Sequence, residues 1–137
     1  MIRISEENYR KIIEYATEHL PNEACGLIAG KLDGEDKRIE KVYFLTNIDA
    51  SNEHFSLDPK EQLAAIKDMR GLGYVLLGNW HSHPETPSRP SEEDKRLAYD
   101  KNASYLILSL ADRKQPDLNS FHIENGKANK EDLMITR

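Results

Sequence analysis

The chain has 137 residues, of which 38% are apolar and 31% charged, and its formal net charge is −5. This length predicts one domain spanning residues 1–137 with a hydrophobic core of its own. The acidic balance argues against nucleic-acid binding through a basic surface and against docking on an anionic membrane.

Cys25 is the only cysteine of the chain. It has no partner for an internal disulfide, which excludes a disulfide-stabilised secreted protein and a cysteine-rich structural zinc site. We expect it to be a small buried hydrophobic residue. No apolar run is long enough to span a membrane, and the N-terminus meets acidic residues at once, unlike a secretory signal. The composition therefore predicts a cytoplasmic protein.

The first third of the chain predicts a helix followed by a hairpin. Ser5 and the acidic pair after it are typical of a helix N-terminus, and apolar residues recur at helical spacing until Pro21. The apolar run 25–30 and the β-rich run 39–45 flank a polar turn over 31–38. These three segments together predict two antiparallel strands.

A second helix and a central strand follow. Asp58 and Pro59 predict an N-cap and a first helical turn, and Gly71 predicts the end of that helix. A short strand is expected over 55–57. The most apolar run of the chain, 74–80, predicts a central buried strand.

The remaining segments predict a mixed α/β arrangement. We expect a rigid proline-rich loop over 81–90, a helix from Ser91 to about Lys101 and a buried strand over 105–110. Two weaker strands, 119–124 and 127–135, flank the turn residues Asn-Gly. Helices interleaved with strands predict an α/β sandwich.

Two histidines directly after the central strand carry the chemistry. His81 and His83 are two residues apart, so their side chains point to the same side of an extended segment. Asp94 follows Ser91 on the first turn of the predicted helix, which the loop could fold back over the histidines. Two imidazoles and one carboxylate are suitable Zn²⁺ ligands, and three protein ligands are typical of a catalytic zinc site. Glu23, before the first buried strand, is the candidate proton acceptor.

These residues resemble the signature of the JAMM/MPN+ (Mov34, JAB) zinc metalloproteases. That signature has a distant Glu, then H-x-H-P, six residues and S-x-x-D, and Glu23, 81–84 and 91–94 match each position. The runs Glu-Ala-Cys-Gly-Leu-Ile-Ala-Gly, Phe-Ser-Leu-Asp-Pro and Gly-Asn-Trp are similar to those of small bacterial and archaeal members. The resemblance extends over roughly residues 1–125.

The resemblance implies a role for each matching residue. His81, His83 and Asp94 match the zinc ligands of the family. Glu23 matches the general base, which takes a proton from zinc-bound water and passes it to the leaving amine. Ser91 matches the hydroxyl that stabilises the tetrahedral oxyanion. The implied fold is an αβα sandwich with a mixed central sheet, similar to the cytidine deaminases.

The resemblance also implies hydrolysis of peptide or isopeptide bonds that follow the C-terminal glycines of ubiquitin-like proteins. Eukaryotic deubiquitinating members carry insertions that grip ubiquitin, and 137 residues leave little room for them. The resemblance to small prokaryotic members implies instead that the substrate is a ubiquitin-like sulfur carrier whose Gly-Gly end is released. An extended substrate is expected beside a sheet edge. The oligomeric state stays open.

Other functions stay open on the sequence. A non-catalytic MPN scaffold usually lacks some motif residues, and none is missing here. A zinc deaminase needs H-x-E and P-C-x-x-C, which Cys25 alone cannot supply. A peptidase acting on a phage-tail or cell-wall peptide is the third alternative.

Each motif also has a purely structural explanation. S-x-x-D is a capping-box variant, and Asp94 would not easily serve both a helix cap and a metal. A histidine pair in a loop and an acid near a helix end, as at Glu23, are common in proteins. Gly26 and Gly78 allow either close approach of a substrate or close packing. Only the joint pattern favours a metal site.

Overall fold

Eight strands and three helices make up the fold in the computed structural model, which describes residues 1–137. In chain order they are β1 (Ile2–Ser5), α1 (Glu6–Glu18), β2 (Cys25–Asp33), β3 (Asp36–Leu45), α2 (Pro59–Gly71), β4 (Val75–His83), α3 (Glu92–Arg96), β5 (Ser104–Ser109), β6 (Asp117–Glu124), β7 (Lys127–Glu131) and β8 (Leu133–Thr136). None of the helices is both long and apolar enough to cross a membrane.

All eight strands belong to one sheet, in the order β7-β6-β5-β4-β2-β3-β1-β8. The pairs β1/β3, β1/β8 and β4/β5 are parallel, and the other pairs are antiparallel. β7 and β8 lie at opposite edges although Asp132 alone separates them in the chain, so the sheet curls until its two edges meet. The Ile2 amide donates to the Asp132 carbonyl at 2.9 Å at this junction.

Helices cover both faces of the sheet. α1 packs Ile12 and Ala16 against one face, in the core cluster that contains the fully buried Trp80. α2 packs Ala65 and Met69 against the other face. Burying apolar area on both faces of a sheet gives the three-layer arrangement. The predicted αβα sandwich with a mixed sheet is therefore confirmed.

The predicted helix starts are correct. The Ser5 hydroxyl accepts from the Asn8 amide at 3.1 Å, and the Asp58 carboxylate accepts from the Lys60 amide at 2.9 Å. The predicted hairpin also forms, but its strands run further and leave only the two residues 34–35 for the turn, where Gly34 adopts φ +65°. The 55–57 segment forms a single bridge, Asn47 to Leu57, rather than a strand.

Three boundaries differ from the sequence prediction. The helix expected over 91–101 is only the five residues of α3, which ends at Arg96. Beyond it, Asp100 accepts from the Asn102 and Ala103 amides, which forms a turn before β5. The run 127–135 divides at Asp132 into the two edge strands. β1 was not predicted from the sequence, because its four residues are too few to show a periodic pattern.

Candidate metal centre and active site

The three predicted ligands converge at one point. His81 and His83 lie on β4 itself, which continues to His83 rather than ending before the histidines. Asp94 projects from the first turn of α3. The Nε2 atoms of the two histidines are 3.1 Å apart, and each is 3.2 Å from Asp94 Oδ2. The prediction that these side chains meet is borne out by this geometry.

The loop after β4 fixes the tautomer of His83. Its Nδ1 lies 2.9 Å from the Pro87 carbonyl oxygen, which can only accept a hydrogen bond. Nδ1 therefore carries the proton, and in the neutral ring Nε2 presents its lone pair to the site. An orienting bond of this kind on the far ring nitrogen is typical of metal-bound histidines.

Asp94 belongs both to the helix cap and to the cluster with the histidines. Its amide donates to the Ser91 hydroxyl at 3.0 Å, and its Oδ2 accepts from the Ser91 amide at 2.9 Å, which completes a capping box. The same Oδ2 faces both histidines. The capping box thus holds the carboxylate in place, and the hydrogen of the exposed Ser91 hydroxyl stays free to donate.

Burial and hydrogen bonding set the charges of the cluster. Burial lowers the pKa of His81, the more enclosed ring. Burial alone would also lower the pKa of His83, but hydrogen bonds to Asp94 and the Pro87 carbonyl outweigh it and raise that pKa. Desolvation opposes ionisation of Asp94, yet its bonds to both imidazoles hold its pKa well below the usual range. Asp94 is therefore a carboxylate at neutral pH.

The donor set fits a zinc ion. Two imidazole nitrogens and a carboxylate oxygen within 3.2 Å of one another are electron-rich atoms that only a proton or a cation brings together. Zn–N and Zn–O bonds of about 2.0–2.2 Å in a tetrahedral set place ligand atoms roughly 3.3–3.5 Å apart. The observed spacing is close to that value. Three protein ligands also leave a coordination position for a reactant.

Glu23 is buried beside this cluster, with only 5% of its surface exposed. The Ala24 amide next to it donates to the Ser82 hydroxyl at 2.8 Å, which ties the start of β2 to β4. Burial raises the pKa of Glu23 to about 8, and nearby His83 lowers it while Asp94 raises it. A carboxyl group whose pKa lies near neutral pH can both take up a proton and give it back, which suits a general acid–base role.

Hydrogen bonds tie the proline-rich loop to neighbouring segments. The Ser109 hydroxyl donates to the Thr86 carbonyl at 2.6 Å, and the Ser88 hydroxyl donates to the Ile107 carbonyl at 2.7 Å. The Arg113 guanidinium donates to the Pro84 carbonyl. These bonds fix the loop that carries the Pro87 carbonyl onto β5.

Sequence reasoning missed residues that the fold brings to the site. Phe55 stacks on His81 with ring centroids 4.5 Å apart. The exposed His54 lies with its Nδ1 atom 2.5 Å from a carboxylate oxygen of Glu93 on α3. Both belong to the loop between β3 and α2, and nothing in its sequence shows that it covers β4.

The candidate site lies on the face of the sheet, on an interior strand. β4 has β2 on one side and β5 on the other, with the register continuing to His83 opposite Ser109. β4 is thus covered by a neighbouring strand on each side. The expected position of an extended substrate beside a sheet edge stays a prediction.

Comparison with known families and curated proteins gives consistent results. Residues 5–124 match the family described as prokaryotic homologs of the JAB domain. The CysO-cysteine peptidase of Mycobacterium tuberculosis is 32% identical over 124 residues, which cover 90% of this chain and 84% of that protein.

Solved structures agree with the fold. The solution structure of protein DSY2949 from Desulfitobacterium hafniense superposes with a TM-score of 0.92 at 51% identity, covering 99% of this chain and 93% of that one. AF2198 of Archaeoglobus fulgidus, a JAB1/MPN domain protein, superposes with a TM-score of 0.62 at 22% identity, covering 99% and 98% of the two chains, and supports the fold alone.

Proposed function

We propose, from the premise that the chain belongs to the prokaryotic homologues of the JAB domain and is a peptidase of the JAMM type, that it hydrolyses the bond after the Gly-Gly end of a ubiquitin-like sulfur carrier. The observation that carries this proposal is the convergence of His81, His83 and Asp94 beside the buried Glu23. The similarity to a peptidase named for CysO-cysteine supports a small leaving group such as an amino acid.

His81, His83 and Asp94 would hold the zinc ion. When bound, zinc supplies a Lewis acid that polarises the scissile carbonyl and makes water a better nucleophile at neutral pH. The Pro87 carbonyl keeps the His83 lone pair directed at the site. The capping box around Ser91 keeps Asp94 in place.

The proton and the developing charge have separate partners in this mechanism. Glu23 accepts a proton from the attacking water, and it returns a proton to the leaving nitrogen as the C–N bond breaks. Ser91 donates its free hydroxyl hydrogen to the oxyanion of the tetrahedral intermediate. Water is consumed, and one carboxylate and one amine are formed.

The acidic, single-cysteine composition supports a protein or peptide partner in the cytoplasm rather than nucleic acid or a membrane. The capacity for catalysis distinguishes this function from that of a non-catalytic scaffold. A peptidase acting on unrelated peptides would differ in the substrate alone. The test below therefore uses a substrate that only the proposed peptidase, and neither a scaffold nor a peptidase for unrelated peptides, is expected to cleave.

Replacing Glu23 with Gln tests the proposed base. We expect E23Q to keep stoichiometric zinc and to lose about 10²–10⁴-fold in kcat, because it removes a proton acceptor and no ligand. The readouts are metal content and the mass loss of a Gly-Gly-ending ubiquitin-like protein extended by one cysteine. The exposed Glu7→Gln is the matched control, and H81A should lose both zinc and turnover. Wild-type turnover in E23Q, or zinc-loaded wild type that leaves this substrate intact, would contradict the proposal.

A further inference from the structure

A small cavity opens beside the candidate metal ligands on the face of β4. Asn79 lies two residues before His81, so both side chains project from the same face. Their register partners on β5 are Tyr105 and Ile107. The cavity has a volume of about 50 Å³. Apart from Asn79, His81 and Asp94, its walls are Phe55, Leu97, Tyr105, Ile107 and Ile123.

Asn79 presents an unpartnered acceptor at this cavity. Its Oδ1 is buried and makes no hydrogen bond. The Tyr105 hydroxyl, which could donate, bonds to the Asp100 carbonyl at 3.3 Å instead. Phe55, Leu97, Ile107 and Ile123 have no side-chain donor, and the His81 Nδ1 atom makes no hydrogen bond. Leaving a buried acceptor unpaired costs about 1–3 kcal/mol, and such atoms are rare. A water molecule or an N–H group of a bound substrate can supply the missing donor.

An open groove of about 480 Å³ joins this cavity to the protein surface. Asn79, Phe55, Leu97 and Tyr105 line both spaces, and the groove continues along β4 to Leu76. Its apolar walls are accessible, since Leu76 is 48% exposed and Leu97 46% exposed. An extended segment of a few residues could lie in this groove with its end at the ligand cluster.

The position of Glu23 assigns the groove to one side of the scissile bond. β2 runs antiparallel to β4 with Cys25 opposite His81, so Glu23 lies towards the His83 end of β4 and Asn79 towards the other end. In the proposed function Glu23 returns a proton to the leaving nitrogen. The leaving group therefore lies on the Glu23 side, and the acyl segment, with its glycines, lies over Asn79.

We propose that Asn79 accepts a hydrogen bond from a backbone N–H of the Gly-Gly segment and thereby selects for it. This inference rests on the proposed function. Both sides of β4 are already paired, with β2 and with β5. A substrate that lies on the face of the sheet therefore has to bond to side-chain acceptors rather than to the backbone of β4. The cavity holds roughly one or two water volumes of ~30 Å³, which is room for a main chain and not for a large side chain.

A double-mutant cycle between enzyme and substrate tests this bond. The substrate is a Gly-Gly-ending ubiquitin-like protein extended by one cysteine, made also with either glycine nitrogen methylated. Wild type and Asn79→Ala are compared by kcat/KM, and E23Q and E23Q/N79A by the Kd of the intact substrate. The exposed Asn129→Ala is the matched control.

We expect methylation of one of the two glycine nitrogens to lower the kcat/KM of the wild type about 10-fold, which corresponds to ~1.4 kcal/mol. N79A should lower kcat/KM and raise the Kd for the unmethylated substrate by a similar factor. In the N79A variant, methylation should change these constants little further. Any conformational effect of the methyl group is common to both enzymes and cancels in the cycle.

Two results would overturn the inference. One is independent, multiplicative effects of N79A and of methylation at both glycines. The other is an N79A variant that binds and cleaves like wild type and Asn129→Ala. If wild type cleaves the substrate in either case, the proposed function stands and the role of Asn79 fails. If wild type neither cleaves nor binds it, both fail together.

Discussion

Ser91 shows how one side chain can serve the helix and the reaction together. Its hydroxyl oxygen accepts from the Asp94 amide as a helix N-cap, and its hydroxyl hydrogen remains free. The two roles use different atoms of one group, so they do not compete. Asp94 differs, because one atom, Oδ2, both accepts from the Ser91 amide and faces the two histidines. A helix cap here aligns the residues of the candidate site.

Substitutions at Ser91 can separate these two roles. Ser91→Ala should lower kcat about 10²-fold through the lost oxyanion donor and cost about 0.5–2 kcal/mol of stability through the lost cap. Ser91→Gly should lose the same activity at a stability cost of only a few tenths of a kcal/mol, because glycine is a tolerable N-cap.

Turnover kinetics and urea unfolding of the zinc-loaded variants measure the two effects. Ser91→Thr keeps both the cap and the donor and is the control. Wild-type turnover in Ser91→Gly would show that the hydroxyl is a helix cap and nothing more.

Among the strands, β4 contains both histidines and β2 begins two residues after Glu23. The close contact between these two strands depends on Gly26. The Trp80 indole nitrogen donates to the Tyr43 carbonyl at 3.1 Å across the backbone of this glycine. A Cβ at Gly26 would lie 1.7 Å from the Tyr43 oxygen and 2.4 Å from the indole nitrogen. Of the two explanations that the sequence left open for Gly26, close packing and close approach of a substrate, the structure supports close packing. Gly78 likewise has the Ser104 carbonyl oxygen 1.8 Å from the position of a Cβ.

Replacing Gly26 with Ala should therefore destabilise the sheet by about 3 kcal/mol or more, since backbone must move to admit the methyl group. Gly71→Ala is the matched control, because nothing lies within 4 Å of a Cβ there. It should be neutral or gain up to about 1 kcal/mol, as alanine is the better helix former. Thermal unfolding measures both. A Gly26→Ala protein as stable as wild type would refute the packing explanation.

Across the whole molecule, curling of the sheet buries a polar network between its far strands. Glu131 on β7 accepts from the Ser104 hydroxyl at 2.7 Å and the Ser120 hydroxyl at 2.8 Å, and it pairs with His122 at 3.0 Å. Lys37 on β3 reaches the same Ser104 at 2.8 Å. Buried charge of this kind is tolerated because each group has a partner.

This network predicts a loss of stability in acid. Burial would raise the pKa of Glu131, but the hydrogen bonds from Ser104 and Ser120 outweigh it and lower that pKa below the ordinary 4.5. A carboxyl with a depressed folded-state pKa stabilises the fold fully above its unfolded-state pKa. That stabilisation disappears as the pH falls through the folded-state pKa.

Glu131→Gln should therefore cost roughly 1–3 kcal/mol at pH 7, and the difference from wild type should shrink as the pH falls below about 4.5. Urea unfolding at pH 7, 5, 4 and 3 measures it. The exposed Glu124→Gln, on the same hairpin, is the control. A difference between Glu131→Gln and wild type that stays constant with pH would contradict the assignment.

The sequence by itself determined the local features and the identity of the reactive groups. The caps at Ser5 and Asp58, the central strand and the spacing of His81 and His83 follow from interactions between residues close in the chain. The family resemblance, drawn from the H-x-H-P and S-x-x-D pattern, is confirmed by the matching family model.

Only the tertiary structure decided which distant residues meet. Phe55 on His81, the Pro87 carbonyl on His83 and the unpartnered Asn79 oxygen depend on how loops and strands pack. The burial of Lys37 and Glu131 depends on closure of the sheet. The physical reason is that the local conformational preferences of a residue do not specify which distant residue will pack against its side chain and bury it. Burial and charge pairing across the sheet are properties of the assembled fold.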